Sequence, residues 1–153
     1  MPLKKFDELR KVDISAYVEK RDGFDYLNWA KCIDLLHDNG ADKVFFRPLT
    51  DEKTGSSLFM TDREFTDKSG NKNKCYEVAV EIEIDDLKFT MRTPVMNGSN
   101  PVKDNSMSQQ RVWNAQTRAF VKGVAIMTGL GFELWSEDFE ADTSAEDDLY
   151  RHS

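Results

Sequence analysis

Residues 76–92 alternate apolar and polar side chains in two runs, which are separated by Asp85 and Asp86. A period of two is typical of a strand with one buried face. A two-residue loop at the aspartates would bring apolar residues together on one face, in the pairs Ile84–Leu87, Ile82–Phe89 and Val80–Met91. The other face would pair Glu83 with Lys88. The sequence therefore predicts an antiparallel hairpin whose register is set by this alternation.

A long helix is predicted after the hairpin, because residues 109–130 contain no proline and repeat apolar or small residues with the helical period. Ser106 followed by Gln109 resembles a capping box and predicts the helix start, and Gly129 predicts its end. The apolar side of the helix is expected to bury a set of large and small residues, namely Val112, Trp113, Ala119, Phe120, Gly123, Val124 and Met127.

The polar side of this helix carries Arg111, Arg118 and Lys122, spaced seven and four residues apart. At about 100° per residue, the three cations lie within roughly 20° of a common line, opposite Phe120. Residues 103–132 contain one acid, Asp104, so no row of carboxylates neutralises this line. A linear polyanion is one natural partner for such a row, and an ordinary solvated helix face is the other interpretation.

The N-terminal third of the chain is predicted to be largely helical. Part of residues 3–20 follows the helical period, a turn is expected at residues 21–23, and a second helix is predicted over residues 26–39. Asn28 or Asp25 would cap the start of that helix, because both side chains accept hydrogen bonds from exposed backbone N–H groups.

Strands are predicted at residues 43–49 and 58–65, and Pro48 confines the first to a sheet edge or a strand end. Residues 67–74 form a polar loop that is typical of a hairpin tip. Proline and glycine predict irregular structure over residues 93–105, and a last short strand is predicted at residues 132–135. An antiparallel sheet packed by one long helix, with an N-terminal helical region, is an α+β architecture.

The chain has 153 residues and a formal net charge of -7, which is unevenly placed. Residues 136–153 hold seven acids and one arginine, a net of -6, which leaves -1 for residues 1–135. We expect residues 1–135 to form one domain and residues 136–153 to be a disordered acidic tail. The overall pI near 4.9 does not exclude a nucleic-acid partner, because local patches decide binding.

Several kinds of chemistry lack the residues they need. Cys32 and Cys75 are far apart in the sequence, so no paired-cysteine motif for zinc or redox chemistry is present. Only His37 and His152 are available for acid–base catalysis, and no phosphate-binding loop or dinucleotide fingerprint is found. We therefore expect no enzymatic activity, no cofactor and no bound metal. No apolar run has the length that crosses a membrane and no apolar signal segment follows the first residues, so we expect a cytoplasmic protein.

Three segments together resemble one family. Residues 18–30 (VEKRDGFDYLNWA), residues 93–97 (TPVMN) and the helical residues 111–131 are similar to motifs of the Sak-type phage single-strand annealing proteins. The resemblance implies a β-β-β-α core like that of the Rad-fifty-two superfamily, and assembly into rings or filaments. It also implies ATP-independent binding and annealing of single-stranded DNA in phage homologous recombination, in the cytoplasm of an infected bacterial host.

The resemblance carries over to individual residues only in part. Arg118 and Lys122 match the family's basic helix positions best, whereas Gly123 stands where eukaryotic members of the superfamily have a second basic residue. Asn28 stands where the family usually has serine. The candidate DNA contacts are cations, first Arg111, Arg118 and Lys122 and then Arg92, Lys88 and Lys103.

The expected partners are single-stranded DNA and further copies of the chain, and a recombination role adds a single-strand-binding protein or an exonuclease. Two other functions stay open. The first is an acidic interaction or inhibitor protein without DNA-binding activity, which acids dispersed over the whole chain would favour, whereas here they concentrate in residues 136–153. A metal-dependent nuclease would use Glu81, Glu83 and the Asp85–Asp86 pair, although turn chemistry explains the aspartates more simply.

Overall fold

The computed structural model describes residues 2–21, 24–60, 64–66, 68–98 and 100–135. Two compact units divide them: one comprises the chain up to Val44 together with the chain from Val121 onward, and the other is Phe45–Phe120. The predicted acidic tail and the predicted turn after Arg21 lie outside the described residues.

The first unit contains short helices and one hairpin. Helix α1 spans Phe6–Leu9, a 3-10 turn covers Ser15–Tyr17, strand β1 (Val18–Arg21) pairs antiparallel with β2 (Phe24–Leu27), and helix α2 spans Trp29–Asp38. The hairpin corrects the sequence analysis, which placed residues 26 and 27 in the second helix. Those residues bond to β1 instead, so the helix begins three residues later than predicted.

Asn28 is the residue that separates β2 from α2. Its side-chain oxygen accepts hydrogen bonds from the backbone N–H groups of Ala30 and Lys31, at 2.9 and 3.2 Å. Both donors belong to the first turn of the helix, where they have no intrahelical acceptor. The prediction that Asn28 or Asp25 caps this helix is confirmed for Asn28.

The second unit is built on one sheet. Strands β3 (Val44–Pro48), β4 (Phe59–Met60) and β8 (Leu87–Pro94) all pair with the central strand β7 (Tyr76–Ile84). Two further short strands, β5 (Phe65–Thr66) and β6 (Lys72–Asn73), form a separate hairpin. The predicted strand over residues 58–65 is therefore wrong as a single element, because its two described ends pair with different strands.

The β7–β8 hairpin has the predicted register. Ile84 lies opposite Leu87 and Glu83 opposite Lys88, and the ladder continues to Glu77 opposite Pro94. Asp85 has a φ of 51°, the left-handed conformation that a tight two-residue turn requires and that aspartate tolerates better than most residues. The prediction of this hairpin is confirmed.

Residues 93–105 are more regular than predicted. Strand β8 continues to Pro94, strands β9 (Met96–Asn97) and β10 (Asn100–Pro101) form a small hairpin, and Asp104–Ser106 is a 3-10 turn. The prolines that suggested irregular structure lie at the ends of these strands, where their missing N–H groups interrupt no ladder.

Helix α3 spans Gln109–Thr128. Its N-cap is Ser108, whose hydroxyl accepts a hydrogen bond from the Arg111 N–H at 3.2 Å, and not the predicted Ser106. The Ser106 hydroxyl instead accepts from the Lys103 N–H at 2.9 Å, within the preceding 3-10 turn. The helix ends at Gly129 as predicted, but residues 132–135 are helical, so the predicted last strand is wrong.

In the second unit, α3 packs on one face of the sheet. Val78, Val95, Val102 and Ala115 form a buried cluster there, and the Thr93 hydroxyl donates to the Ala115 carbonyl at 3.1 Å. This packing confirms the α+β architecture.

Two members of the predicted apolar side are exposed. Trp113 is 40% exposed, although its ring stacks on that of Phe46. The distance between the two ring centroids is 6.2 Å. Met127 is also exposed, so the prediction that both residues are buried is wrong.

Gly129 is a position where only glycine fits. Its φ is +91°, and a Cβ atom there would lie 2.7 Å from the Phe6 carbonyl oxygen. We predict that Gly129→Ala lowers the free energy of unfolding by about 2–4 kcal/mol, since backbone strain and a steric clash add. Chemical denaturation followed by circular dichroism measures this loss.

Gly55 provides the matched control. Its φ is +71°, but a Cβ atom would meet nothing within 4 Å. Gly55→Ala should therefore cost only the backbone strain, about 1–2 kcal/mol. Equal losses in the two variants would contradict the close approach of Phe6 to Gly129.

Candidate nucleic-acid interface

The three cations predicted to form a row on α3 have different surroundings. Arg111 donates through its guanidinium group to the Asn97 side-chain oxygen at 2.8 Å and to the Ser106 carbonyl. These bonds tie β9 and the 3-10 turn to the start of the helix. Arg111 is therefore half-buried and partly engaged in holding the fold.

Arg118 and Lys122 are also half-buried on α3. Arg118 belongs to the second unit and Lys122 to the first. The Lys122 ammonium nitrogen lies 5.3 Å from the centroid of the Trp135 ring, a cation–π contact within the first unit. The contact occupies one side of the ammonium group, whose three N–H donors point in several directions.

Lys88 and Arg92 lie on a different surface, which we call the outer sheet face. It is the face of the β3–β4–β7–β8 sheet turned away from α3, and it follows from the alternation of side chains along each strand. Its charged members are three cations and three acids, Arg47, Lys88, Arg92, Glu77, Glu81 and Glu83.

Ion pairs connect the strands across this face. Arg47 lies 2.7 Å from Glu81, Lys88 lies 3.7 Å from Glu81 and 3.8 Å from Glu83, and Arg92 pairs with Glu77. The prediction that Lys88 pairs with Glu83 across the strands is therefore confirmed. Only the Arg92–Glu77 pair joins two well-exposed side chains among these, and such a pair typically contributes about 0–1 kcal/mol, so another anion competes with it at little cost.

The charges on the outer sheet face are layered. The side chains of Arg47, Lys88 and Arg92 are 60%, 57% and 54% exposed, whereas those of Glu81 and Glu83 are 16% and 18% exposed. The cations thus stand outermost and two carboxylates lie beneath them. An approaching phosphate meets the cationic groups first.

Aromatic rings share this face with the cations. Phe45 is partly exposed on the same side of β3 as Arg47, and the Arg92 guanidinium carbon lies 5.0 Å from the centroid of the Phe59 ring. Aromatic rings beside cations are typical of surfaces that bind single strands, where bases stack and phosphates are paired.

Arg47, Phe45 and Phe59 were not predicted as candidates from the sequence. The period of two in a predicted strand places Phe45 and Arg47 on one face, but the sequence does not show which face the helix covers. That assignment required the contacts of α3 with Val78 and Phe46.

Lys103 is exposed at the rim of a groove of about 840 Å³ within the second unit. The groove lies between the β5–β6 hairpin and the β9–β10 hairpin. Its polar lining consists chiefly of amides and lysines, namely Asn73, Lys74, Asn97, Asn100, Lys103 and Asn105. Amides can donate and accept hydrogen bonds at once, as base edges require.

A smaller groove of about 440 Å³ lies in the first unit. Its charged lining is mainly acidic, with Asp13, Glu19, Asp25 and Glu133 against Arg10 and Lys20. This balance does not suit a phosphate chain, so we assign no nucleic-acid contact there.

Within the described ranges, no group of three or more histidine, cysteine, aspartate or glutamate residues is placed to hold a metal ion. Cys32 is fully buried, and burial raises the pKa of its thiol, which keeps it unreactive. The helices described for this chain include none that is both long and apolar enough to cross a bilayer.

Comparison with protein families gives one match. The family model described as Sak Single Strand Annealing Protein matches residues 4–150, nearly the whole chain. No curated protein and no solved structure matches the chain.

A titration tests the geometry at the groove. The Tyr76 hydroxyl donates to Asp104 Oδ1 at 2.5 Å, and this bond raises the pKa of Tyr76 to about 12, with smaller contributions from burial and the carboxylate charge. We predict that absorbance of the folded protein includes a tyrosine ionisation near that pH, and that Tyr76→Phe removes this component.

Asp104→Ala is the matched variant, because it removes both the hydrogen-bond acceptor and the carboxylate charge beside Tyr76. The pKa of Tyr76 should then fall toward the ordinary value near 10. Because the folded-state pKa is raised, the contribution of Tyr76 to stability is complete below pH 10 and is lost as the pH rises toward 12. An unchanged titration in Asp104→Ala would contradict the assigned bond.

Proposed function

This chain belongs to the Sak single-strand annealing protein family, and on that premise we propose that it binds single-stranded DNA and anneals complementary strands without ATP. The reaction would serve homologous recombination of a phage in its bacterial host. The observation that carries this proposal is the family match over residues 4–150. Strand annealing forms no covalent bond, so it requires a surface that holds strands extended and releases them as duplex.

We propose that the outer sheet face is one contact surface for the strand. Arg47, Lys88 and Arg92 are its outermost charged groups, so a phosphate would meet their exposed N–H donors while the carboxylates of Glu81 and Glu83 stay beneath them. Phe45 and Phe59 would offer ring faces to the bases, a contact that tolerates any base sequence. Sequence-independent binding is what an annealing protein needs, because it must accept any complementary pair.

The helix cations provide a second set of contacts in this proposal. Arg118 and Lys122 would bind phosphates directly, whereas Arg111 would act mainly by fixing Asn97 and the turn at Ser106. Lys103 would contact the strand from the rim of the groove. The order of candidates thus differs from the sequence analysis, because hydrogen bonds that the sequence does not reveal already occupy Arg111.

We propose that several copies act together. Residues 1–135 carry a net charge of only -1, so a single copy attracts a polyanion weakly. Linked copies raise the effective concentration of each contact, and many weak contacts then hold one strand. Single-strand-binding protein or exonuclease would be further partners in recombination. Residues 136–153 would keep the assembly soluble through their net charge of -6.

The first test mixes the protein with complementary fluorescent oligonucleotides in dilute buffer with a chelator and without nucleotide. We expect duplex formation faster than the spontaneous rate, and no signal with non-complementary strands. Cleavage on addition of Mg²⁺ would indicate a nuclease instead. Failure to bind oligonucleotide at any salt concentration would remove the proposal and leave an acidic interaction protein.

The second test locates the phosphate contacts by salt dependence. Each phosphate contact to a single strand contributes about 0.7 to the slope of log affinity against log salt. We predict that the triple variant Arg47→Ala, Lys88→Ala, Arg92→Ala lowers this slope by about 2, and that Arg118→Ala with Lys122→Ala lowers it by about 1.4. Fluorescence anisotropy across a salt series measures both slopes.

A matched control removes three cations elsewhere, through the exposed Lys4→Ala, Lys5→Ala and Lys11→Ala. It removes the same number of positive charges as the sheet triple variant, and it should leave the slope of log affinity against log salt nearly unchanged. Glu81→Gln with Glu83→Gln should act in the opposite direction and tighten binding several-fold at low salt, because the competing carboxylates are gone. An equal effect of the control and the sheet triple would exclude the outer sheet face.

A further inference from the structure

The groove between the β5–β6 and β9–β10 hairpins is separate from the outer sheet face. Its volume of about 840 Å³ is within the range of sites that hold a small organic molecule. None of the charged residues of the outer sheet face lines it, and none of the described residues that do line it is acidic. In a chain with a net charge of -7, a groove without carboxylates in its lining tolerates an anionic ligand.

Asn97 contributes an amide whose orientation is fixed. Its side-chain oxygen accepts a hydrogen bond from the Arg111 guanidinium at 2.8 Å. A guanidinium group only donates, so the amide atom that faces it must be the oxygen, and the amide cannot be turned round. The amide nitrogen keeps two N–H donors, and no described residue accepts a hydrogen bond from them. Asn97 therefore offers a ligand donors and no side-chain acceptor.

Two lysines add further groups that can only donate. Lys74 lines the groove and Lys103 lies at its rim, where an ammonium group can bond to a phosphate oxygen or to a carbonyl oxygen. The Tyr76 hydroxyl gives its proton to Asp104, so its oxygen can accept. The side chains whose role is fixed are thus mostly donors, and they match a ligand that presents acceptors.

An aromatic ring and two adaptable amides share the groove with these donors. Phe65 is 45% exposed, and a planar base can stack on its ring whichever base it is. The exposed amides of Asn100 and Asn105 can turn either to donate or to accept. Apolar surface for a flat ring, together with a few polar groups that fix its orientation, is typical of a site for a heterocycle.

We infer that this groove takes one nucleobase of the bound strand and favours bases that carry a carbonyl oxygen in place of an amino group. The inference rests on the proposed function for the presence of the strand. Guanine and thymine present the acceptors O6 and O4, where adenine and cytosine present N–H donors. The Asn97 amide nitrogen would donate to the carbonyl of the first pair and would face another donor on the second pair.

A preference of this kind is compatible with annealing of any sequence. One neutral hydrogen bond contributes little, so we expect affinities to differ by about three- to tenfold between the two kinds of base. Contacts to phosphates elsewhere on the protein carry no sequence information and stay the same for every strand. The groove would therefore set where the strand prefers to rest, and it would exclude no sequence.

Two matched strands test the preference. Oligodeoxyuridine and oligodeoxycytidine share one backbone and one ring size, and they differ chiefly in the O4 carbonyl against the N4 amino group. We expect the wild-type protein to bind the deoxyuridine strand about three- to tenfold more tightly by fluorescence anisotropy, at one pH and one salt concentration. Equal affinities would overturn the inference, whereas the annealing assay judges the proposed function independently.

Asn97→Asp tests whether the amide nitrogen carries the preference. The carboxylate still accepts from Arg111, but it has an oxygen in place of the amide nitrogen. We expect the ratio of the two affinities to fall to about one or below, although the added negative charge weakens both. Asn71→Asp is the matched control, because Asn71 is exposed and does not line the groove, and it should keep the wild-type ratio. An unchanged ratio in Asn97→Asp would overturn the inference.

Phe65→Leu separates stacking from hydrogen bonding. Loss of the ring should weaken the binding of both strands by a similar factor and leave their ratio unchanged, because stacking tolerates any base. Phe65 is exposed, so the protein should stay folded. A ratio that falls as far as in Asn97→Asp would contradict the role given to the amide.

A photochemical crosslink locates the base without any substitution in the protein. On irradiation, a strand that carries iodouracil loses iodide and joins to aromatic side chains beside the base. We expect mass spectrometry to find the strand attached at Phe65 or Tyr76. Crosslinks confined to Phe45 and Phe59 on the outer sheet face would overturn the inference, and the binding of the strand itself would stand.

Discussion

The second unit depends on the burial of one face of strand β7. Val78, Val80, Ile82 and Ile84 are almost fully buried, and each contributes about 1.5–3 kcal/mol by leaving water. A slip of one residue in the pairing would expose all four and bury the glutamates between them. The register is therefore strongly fixed, and with it the place of every charged residue on the outer sheet face. Helix α3 supplies the cover for the buried face through Ala115 and its neighbours.

The sequence predicted those parts of the fold that repeat a pattern over many residues. Alternation over β7 and β8 determined the hairpin register, and the helical period with Gly129 determined the end of α3. Strands of four residues or fewer were missed, because so short a segment shows no period, and the apolar pair at residues 26 and 27 suits a strand and a helix equally. At the start of α3, Ser106 and Ser108 both offer a capping hydroxyl, and only the path of the 3-10 turn decides between them.

The candidate site was less predictable than the fold for a related reason. Helical spacing shows that Arg111, Arg118 and Lys122 share one line, but it does not show which hydrogen-bond acceptors surround them. Asn97, the partner of Arg111, is separated from it by 14 residues, and the bond depends on how the intervening chain turns. The importance of Arg47 likewise depends on which face of the sheet the helix covers. Local patterns give the position of a charge, whereas tertiary contacts decide whether it is available.

Cations that are paired with carboxylates suit the proposed annealing reaction, because the protein would have to release the duplex that forms. A row of unpaired cations would hold single strands and duplex alike, because both are polyanions, and the annealed product would remain bound. On the outer sheet face each phosphate would share its cation with a carboxylate, so the net gain for each contact would be small. In the proposed function, small gains would add up along an extended strand that lies across several copies. In the proposed reaction, bases that leave the aromatic rings to pair with a complementary strand would give up their stacking contacts, so duplex formation would weaken binding to the protein.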